Sequence, residues 1–330
     1  MLELEVITEL PRFLQIETAW SALADVIPHV TPFQLPHWQL NWWRHFGSGQ
    51  LLVFSWWRKH SLVGLVPCFL HRWEGRRQIT LIGSGISDYL EPLIHPEYRA
   101  EVIGGLEAYL QSSYDWDICN WQDLAADTCL SQLKGSLLES DTSCSEVPLN
   151  GSFEEFWNNR SKDMRRNLRR YTDRARSVGS VCFQAVTSAD EELMDALIRL
   201  HAARWEKRGE SGMIAANNSG PFLRDVAGAF AARDNLRFFI ARFRKQVAAL
   251  VLGFLCRNTL YAYLSAFDPE YEGFGFGRNL LYEAFRFAYG EHYSAWNFCR
   301  GDEQYKLSWG AHPIEKRRLI LTHDIAPGSL

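Results

Sequence analysis

The chain has 330 residues, 47% hydrophobic and 22% charged, with 35 Lys and Arg against 39 Asp and Glu for a net charge of −4. These values exclude disordered, collagen-like and low-complexity chains, and the length suits about two domains. No global positive field exists to hold nucleic acid or anionic lipid, so any such contact has to come from a local patch.

In chain order, the pattern predicts a strand over residues 2–8, a helix over 13–24 and, after the Pro- and aromatic-rich Thr31-Pro32-Phe33-Gln34-Leu35-Pro36, a Trp-laden helix over 37–46. Strand-like runs at 50–57 and 61–71 flank Arg58-Lys59-His60, an interruption short enough for a hairpin. A loop with Asp88-Tyr89 follows, then an amphipathic helix over 101–112 and a strand over 116–121. The stretch Glu146-Val147-Pro148-Leu149-Asn150-Gly151-Ser152 gathers turn residues ahead of a helix start, which places a domain boundary there.

Beyond it the sequence predicts one long Arg-studded helix or two over 153–177, a strand over 181–187, and helices over 189–208 and 220–232. Strands over 236–242, 247–257 and 259–267 come next, then a Gly-rich turn, a helix over 278–289 and a strand over 295–299. The segment Val53-Phe54-Ser55-Trp56-Trp57-Arg58-Lys59 aligns without gaps on Phe239-Ile240-Ala241-Arg242-Phe243-Arg244-Lys245, each opening a hairpin. The echo is either an internal duplication or the likeness of any two amphipathic hairpins.

Seven cysteines, an odd number with no CxxC pair, read as reduced core residues of a cytoplasmic protein. Residues 1–5 lack the basic and apolar regions of a signal peptide. The longest apolar stretch, residues 247–256, falls short of the roughly 20 residues of a membrane helix, so no integral membrane contact is expected. Aromatics at 14% fit a core of large side chains or, alternatively, the stacking walls of a ligand site.

The strand over 259–267 leads through Gly273-Phe274-Gly275-Phe276-Gly277 into Arg278-Asn279 and a helix. Glycines there let a ligand approach the backbone, and the helix's first amides lack partners and carry its positive dipole end. Gly273, Gly275, Gly277, Arg278 and Asn279 are therefore the candidate binding residues for a pyrophosphate-bearing cofactor, unless the stretch is merely a flexible turn. The ten-residue gap after the strand departs from a dinucleotide fingerprint, and no Gly-x-x-x-x-Gly-Lys-Ser/Thr loop is present. His29, His37 and His45 recur every eight residues, which misses the spacing of metal ligands, and no nucleophile elbow occurs. No metal is expected.

This order of strand, glycine loop and helix resembles the acetyl-CoA pyrophosphate loop of the GNAT acyltransferase superfamily. More specifically, Ser161-Lys162-Asp163-Met164-Arg165-Arg166-Asn167-Leu168-Arg169-Arg170, His201-Ala202-Ala203-Arg204-Trp205, Phe267-Asp268-Pro269-Glu270-Tyr271 and Gly301-Asp302-Glu303-Gln304-Tyr305-Lys306 resemble CelD-like acetyltransferases of bacterial polysaccharide synthesis. The resemblance covers residues 153–309 and extends more weakly to Thr31-Pro32-Phe33 and Ser87-Asp88-Tyr89. Glu272 stands where the superfamily pattern has Gln or Arg. The distant FemABX relatives share a tandem GNAT-like fold and take their acyl group from aminoacyl-tRNA.

The resemblance implies an α/β fold of two GNAT-like mixed-sheet domains in tandem, an N-terminal one over 1–148 and a C-terminal acyltransferase domain over 149–330. It implies acyl transfer from acetyl-CoA or another acyl-CoA to an amine or hydroxyl of a small-molecule or glycan-type acceptor, in polysaccharide or cell-envelope biosynthesis. Aminoacyl transfer from tRNA is the alternative, and a binding module that lost its chemistry is a third reading. Acyl transfer needs a base for the nucleophile and an acid for the thiolate, so Asp302, Tyr305 and Lys306 are the catalytic candidates: Asp302 or Glu303 as base, Tyr305 as acid, and Lys306 alternatively as the holder of a phosphate or carboxylate on the acceptor. His201, Arg204 and Trp205, which share a helical face, together with Arg165, Arg169, Asp88 and Tyr89, are the candidate substrate-binding residues.

Overall fold

The computed structural model describes residues 2–323 except 114, 208, 210, 211, 213 and 215–217. It divides into two compact units, Met1–Ser143 with Glu315–Leu330, and Cys144–Ile314. The boundary expected after residue 148 thus falls at Ser143/Cys144, and the last strand returns to the first unit.

The first unit runs β1 (Glu3–Ile7), α1 (Leu10–Gln15), α2 (Glu17–Val26), α3 (Pro36–Phe46), β2 (Gln50–Arg58), β3 (Ser61–Trp73) and β4 (Arg76–Leu81). It continues through β5 (Leu93–Ile94), α4 (Arg99–Ser112), β6 (Ile118–Ala125) and β7 (Leu137–Ser140). The second unit opens with β8 (Cys144–Pro148), α5 (Phe153–Asn158), α6 (Lys162–Val178), β9 (Val181–Val186), α7 (Glu191–Glu206) and α8 (Ser219–Ala231). Then come β10 (Leu236–Phe243), β11 (Gln246–Cys256), β12 (Thr259–Phe267), α9 (Phe276–Gly290), β13 (Ala295–Arg300), α10 (Gln304–Ser308) and β14 (His312–Ile314). β15 (Lys316–Thr322) belongs to the first unit. Arg208, the expected end of the helix that forms α7, lies outside the described residues.

The two sheets follow the same path. The first is ordered β1-β2-β3-β4-β6-β15-β7 with β5 on β3; the second, read from its far edge, is β9-β10-β11-β12-β13-β8-β14. In each, the fourth and fifth strands run parallel: Gln78 pairs with Ile118, and Leu260 with Trp296. The sixth strand of each sheet is out of sequence order. β8 precedes the second unit's helices yet pairs beyond β13, and β15, the last strand among the described residues, pairs with β6. The echoing hairpins β2–β3 and β10–β11 hold the same place in their sheets. Lys59 and Lys245 both take left-handed backbone at the turn (φ 57° and 72°).

Short polar signals start the helices. Ser152 accepts the Glu155 amide at 3.2 Å while the Glu155 carboxylate takes the Ser152 amide at 3.0 Å, so two first-turn donors of α5 are satisfied reciprocally. Ser161 caps α6 by accepting from the Met164 amide at 3.1 Å. The Arg-studded segment is therefore two helices, broken where Ser161 begins the second.

Most of the aromatic payload is core. Trp20, Trp38, Trp56, Trp121, Trp296 and Trp309 are fully buried, each large side chain contributing on the order of 1.5–3 kcal/mol by leaving water. In the second unit Phe285 stacks on Trp309 at 5.1 Å and on Trp296 at 4.8 Å, which ties α9 to β13 and α10. None of the seven cysteines forms a disulfide; five are buried, Cys129 is half-buried and Cys182 exposed. Among the described residues, no helix is long and apolar enough to cross a membrane.

Candidate active site

β12 and β13 pair only from Thr259/Ala295 to Tyr261/Asn297. Each then continues, β12 to Phe267 and β13 to Arg300, without the other. A bulge between Leu252 and Gly253 shifts the β11–β12 register next to this parting and increases the local twist. The edge of β12 that faces the gap has lost its strand partner. A cavity of about 390 Å³ occupies this region, walled by Ala262, Ser265 and Phe267 of β12, Phe298 of β13 and Tyr305 of α10. Its far wall is the glycine bend: Gly275, Phe276, Gly277 and Arg278.

The bend is rigid rather than a loose turn. After β12, residues Pro269–Phe274 form a 3-10 helix capped by Asp268, whose side chain accepts the Glu270 amide at 3.0 Å. Tyr271, Phe274 and Phe276 surround Phe243 at 5.2–5.4 Å between ring centres. Gly275 turns the chain into α9 with left-handed backbone, φ 61°. A Cβ there would also lie 2.8 Å from the Tyr171 ring, so both conformation and packing demand glycine.

Gly277 differs. A Cβ on it would meet only Phe267, at an ordinary 3.8 Å, so nothing in the chain itself requires glycine there. The amides of Phe276 and Gly277 are first-turn donors with no carbonyl four residues back in the helix, and they stand on the cavity wall. Cavity, sparsely covered backbone and the positive end of α9 coincide, an arrangement able to receive an anion. Arg278 is exposed on the same turn and lines the cavity; its guanidinium lies 6.0 Å from the Tyr171 ring centre. Glu272, the carboxylate that would repel an anion, is paired with Lys207 at 2.8 Å. That hydrogen bond holds its carboxyl below the ordinary range and screens its charge.

Two of the proposed donor residues serve the loop instead of the cavity. Asn279 is buried and donates from Nδ2 to the Phe274 carbonyl at 3.4 Å, bracing the 3-10 helix. Gly273 lies beside the Arg174 guanidinium, 3.7 Å from where its Cβ would be. Neither is among the residues lining the cavity.

Of the three catalytic candidates, Tyr305 alone lines the cavity. Its ring meets Phe298 edge-on at 5.9 Å; although the residue as a whole is 36% exposed, desolvation around the hydroxyl, reinforced by the Glu303 charge, pushes its phenol up to about 12. The hydroxyl therefore stays protonated across the physiological range. Lys306 is 2% exposed, and its ammonium donates to the carbonyls of Arg300 at 2.6 Å, Gly301 at 3.1 Å and Cys299 at 3.4 Å. It also pairs with Glu303 at 2.9 Å. Those partners occupy all three protons, so Lys306 pins the end of β13 to α10 and has no donor left for a substrate. Asp302 is exposed and stands outside the cavity lining.

His201, Arg204 and Trp205 share a face of α7, and only Arg204 reaches the cavity, donating to the Ser265 carbonyl at 3.3 Å. The Trp205 indole donates to His201 Nε2 at 2.9 Å. Burial, with Arg204 adding to it, lowers the His201 imidazole to about 4 and keeps it neutral. Arg165 and Arg169 line a separate groove on α6 that shares no residue with the cavity. Asp88 and Tyr89 belong to the first unit; Asp88 is buried, and Tyr89 stacks on Phe33 at 6.0 Å beneath the Lys316 ammonium. Tyr171, Ser265 and Phe298 line the cavity without having been singled out from the sequence. Among the described residues, no group of three His, Cys, Asp or Glu side chains is placed to hold a metal ion.

Comparison with known proteins bears on the fold. Residues 162–307 match the family model described as "Acetyltransferase (GNAT) domain", somewhat under half of the chain. No curated protein matches it. Among solved structures, FemX is similar with a TM-score of 0.70 and 11% identity, covering 98% of both chains. The C-terminal domain (DUF2156) of a putative lysylphosphatidylglycerol synthetase from Agrobacterium fabrum gives 0.59 and 11% identity, over 94% of this chain and 92% of that one. A tandem GNAT protein from the clavulanic acid biosynthesis pathway gives 0.53 and 9% identity over the whole of both. The two sheets are thus GNAT-type folds in tandem, and the unit that carries the cavity is the one that matches the acetyltransferase domain.

Proposed function

We propose that the second unit transfers an acyl group, acetyl in the simplest case, from an acyl-CoA to an amine or hydroxyl of a polar acceptor. One observation carries this reading: the parallel strands β12 and β13 part around a cavity that ends on the bare amides of Phe276 and Gly277. The donor's diphosphate would rest on those amides with Arg278 beside it, while its pantetheine arm takes the gap as an extra strand against β12. The unpartnered edge of β12 then supplies backbone N–H groups toward the thioester oxygen, where negative charge develops.

The acceptor attacks the thioester carbon directly in a ternary complex. The carbon–sulfur bond breaks, and the departing thiolate takes the proton of the Tyr305 hydroxyl. The proton lost by the attacking amine or hydroxyl restores the phenol, so no net charge is left behind. Lys306 and Glu303 act as positioning residues by fixing the strand end from which α10 starts. A second reading, aminoacyl transfer from tRNA, is favoured by one feature, the basic face of α6.

Thermal unfolding with and without saturating acetyl-CoA tests the proposal. A donor site raises the midpoint by several degrees, because the ligand binds only the folded chain. An unchanged midpoint overturns it.

A further inference from the structure

The strongest unexplained feature is a second concavity in the same unit. A groove of about 630 Å³ runs along α6, with Lys162, Arg165, Arg166, Arg169 and Arg170 on its walls and a single carboxylate, Asp173. Trp157 and Asn158 of α5 close one end. These cations repel one another along the helix. Lys162 and Arg166, Arg165 and Arg169, and Arg166 and Arg170 are each four residues apart, a spacing at which like charges destabilise a helix.

Within the chain little compensates them. Arg166 pairs with Asp163 at 2.8 Å, and Arg165 donates to the Asn158 side chain at 3.2 Å. Lys162, Arg169 and Arg170 have no ion pair among the described residues, and the buried Nε of Arg165 has no hydrogen-bond acceptor among them. Five cations collected in a concave site at a cost to their own helix are arranged for an anion that the chain does not supply.

We propose that this groove binds the phosphate groups of an organic diphosphate, carried by the acceptor. The inference rests on the acyl-transfer reading for the word acceptor and on the groove alone for the anion. The glycine bend already offers a seat to the diphosphate of an acyl-CoA, and the groove shares no lining residue with that cavity. The phosphomonoester that CoA has left over would engage one or two guanidiniums, whereas the groove presents four and an ammonium. Lys162 to Arg170 covers only about 12 Å of helix at ~1.5 Å per residue, enough for two or three phosphates. A nucleic-acid backbone would need a longer track. Past Asp173 the next cation, Arg174, is turned onto the Phe274 ring and the Gly273 carbonyl. Guanidinium forks at this spacing suit the bidentate geometry of adjacent phosphoryl oxygens.

Calorimetric titration of the full chain with inorganic pyrophosphate, in the presence of saturating CoA so that the glycine bend is occupied, tests the groove. One pyrophosphate should bind per chain, and R165Q/R169Q should weaken it at least about tenfold, the loss expected for two charge-assisted contacts. R165K/R169K, which keeps the charge but loses the bidentate forks, should bind between wild type and R165Q/R169Q, and acetyl-CoA affinity should be the same in all three proteins. An R165Q/R169Q affinity equal to wild type overturns the proposal. So does a parallel loss of acetyl-CoA affinity, which would assign the groove to the donor. Tight binding of a 20-nucleotide single-stranded RNA with no binding of pyrophosphate overturns it in favour of RNA. If CoA itself does not bind, the acyl-transfer reading fails, and the pyrophosphate titration of wild type against R165Q/R169Q still decides the groove.

Discussion

The two units build the same parting of parallel strands and fill it differently. In the first unit β4 and β6 pair at Gln78/Ile118 and Ile79/Cys119, and the chain that follows β4 turns back into the space beyond. Leu90 donates its amide to the Asp123 carbonyl at 3.0 Å, and the Glu91 carboxylate accepts the Ala125 amide at 3.1 Å and the Thr128 hydroxyl at 2.7 Å. Leu90 and Leu93 are buried there, and β5 adds to β3. In the second unit the connection after β12 instead folds outward as a 3-10 helix anchored on Phe243, and the gap stays open. The helix that follows also differs: α4 begins Arg99-Ala100-Glu101 with no glycine ahead of it and a carboxylate in its first turn. One sheet path yields either a plugged core or an open cavity, and the crossover, residues 82–98 in one unit and 268–275 in the other, decides which.

Because the cavity of the second unit is proposed to end at Tyr305, the largest effect should come from that hydroxyl. Tyr305→Phe keeps the ring against Phe298 and removes only the proton donor. Turnover of acetyl-CoA should fall about 10²- to 10⁴-fold, the usual contribution of a positioned general acid. The acetyl-CoA dissociation constant, read by calorimetry, should stay within a factor of two or so of wild type. Loss of binding with turnover unchanged would move Tyr305 from the chemistry to the donor pocket.

The asymmetry was only partly legible in the sequence. The glycines, the strand before them and the helix after them are local features, and they mark the open parting. The plug in the first unit was not visible, because Leu90 and Glu91 matter through partners 33 and 34 residues away. The pattern predicts no strand at β8 or β15: residues 146–148 fall among the turn residues read as a domain boundary, and neither short segment announces which sheet would take it. Lys306 resembled a substrate ligand because its fate depends on three converging carbonyls. That convergence follows from left-handed backbone at Cys299 (φ 59°) and φ 110° at Gly301, which no residue pattern announces. His201 and Trp205 were correctly placed on one helical face, yet spacing cannot tell two residues that hold each other from two that hold a ligand.

Emptying the plug sharpens the comparison from the other side. Leu90→Ala removes a side chain that is 2% exposed, and the first unit should lose about 2–5 kcal/mol, seen as a lower urea midpoint. Acetyl-CoA should still bind once per chain, because α4 offers no glycine bend to receive a diphosphate. A second equivalent of acetyl-CoA bound by L90A would mean that the two partings differ only in their filling, and the contrast drawn between their helix starts would be lost.

The smallest effect, and the most local one, separates the two glycines of the open parting. Gly277→Val adds atoms where the chain leaves room, since the nearest neighbour of a Cβ is Phe267 at 3.8 Å, so the unliganded melting temperature should hold. The added methyl groups would stand over the amides proposed to seat the diphosphate, and acetyl-CoA affinity should drop about 10- to 100-fold, as expected for ~1–3 kcal/mol of forced repacking. Gly275→Ala should do the reverse: the left-handed φ and the Tyr171 ring at 2.8 Å make it a stability lesion first and a binding lesion only as a consequence. Measured side by side by melting and calorimetry, the pair distinguishes a bend that exists to turn the chain from a bare amide kept clear for a ligand. If both variants lose stability equally and bind equally, the first turn of α9 is merely a tight corner and the anion seat is not there.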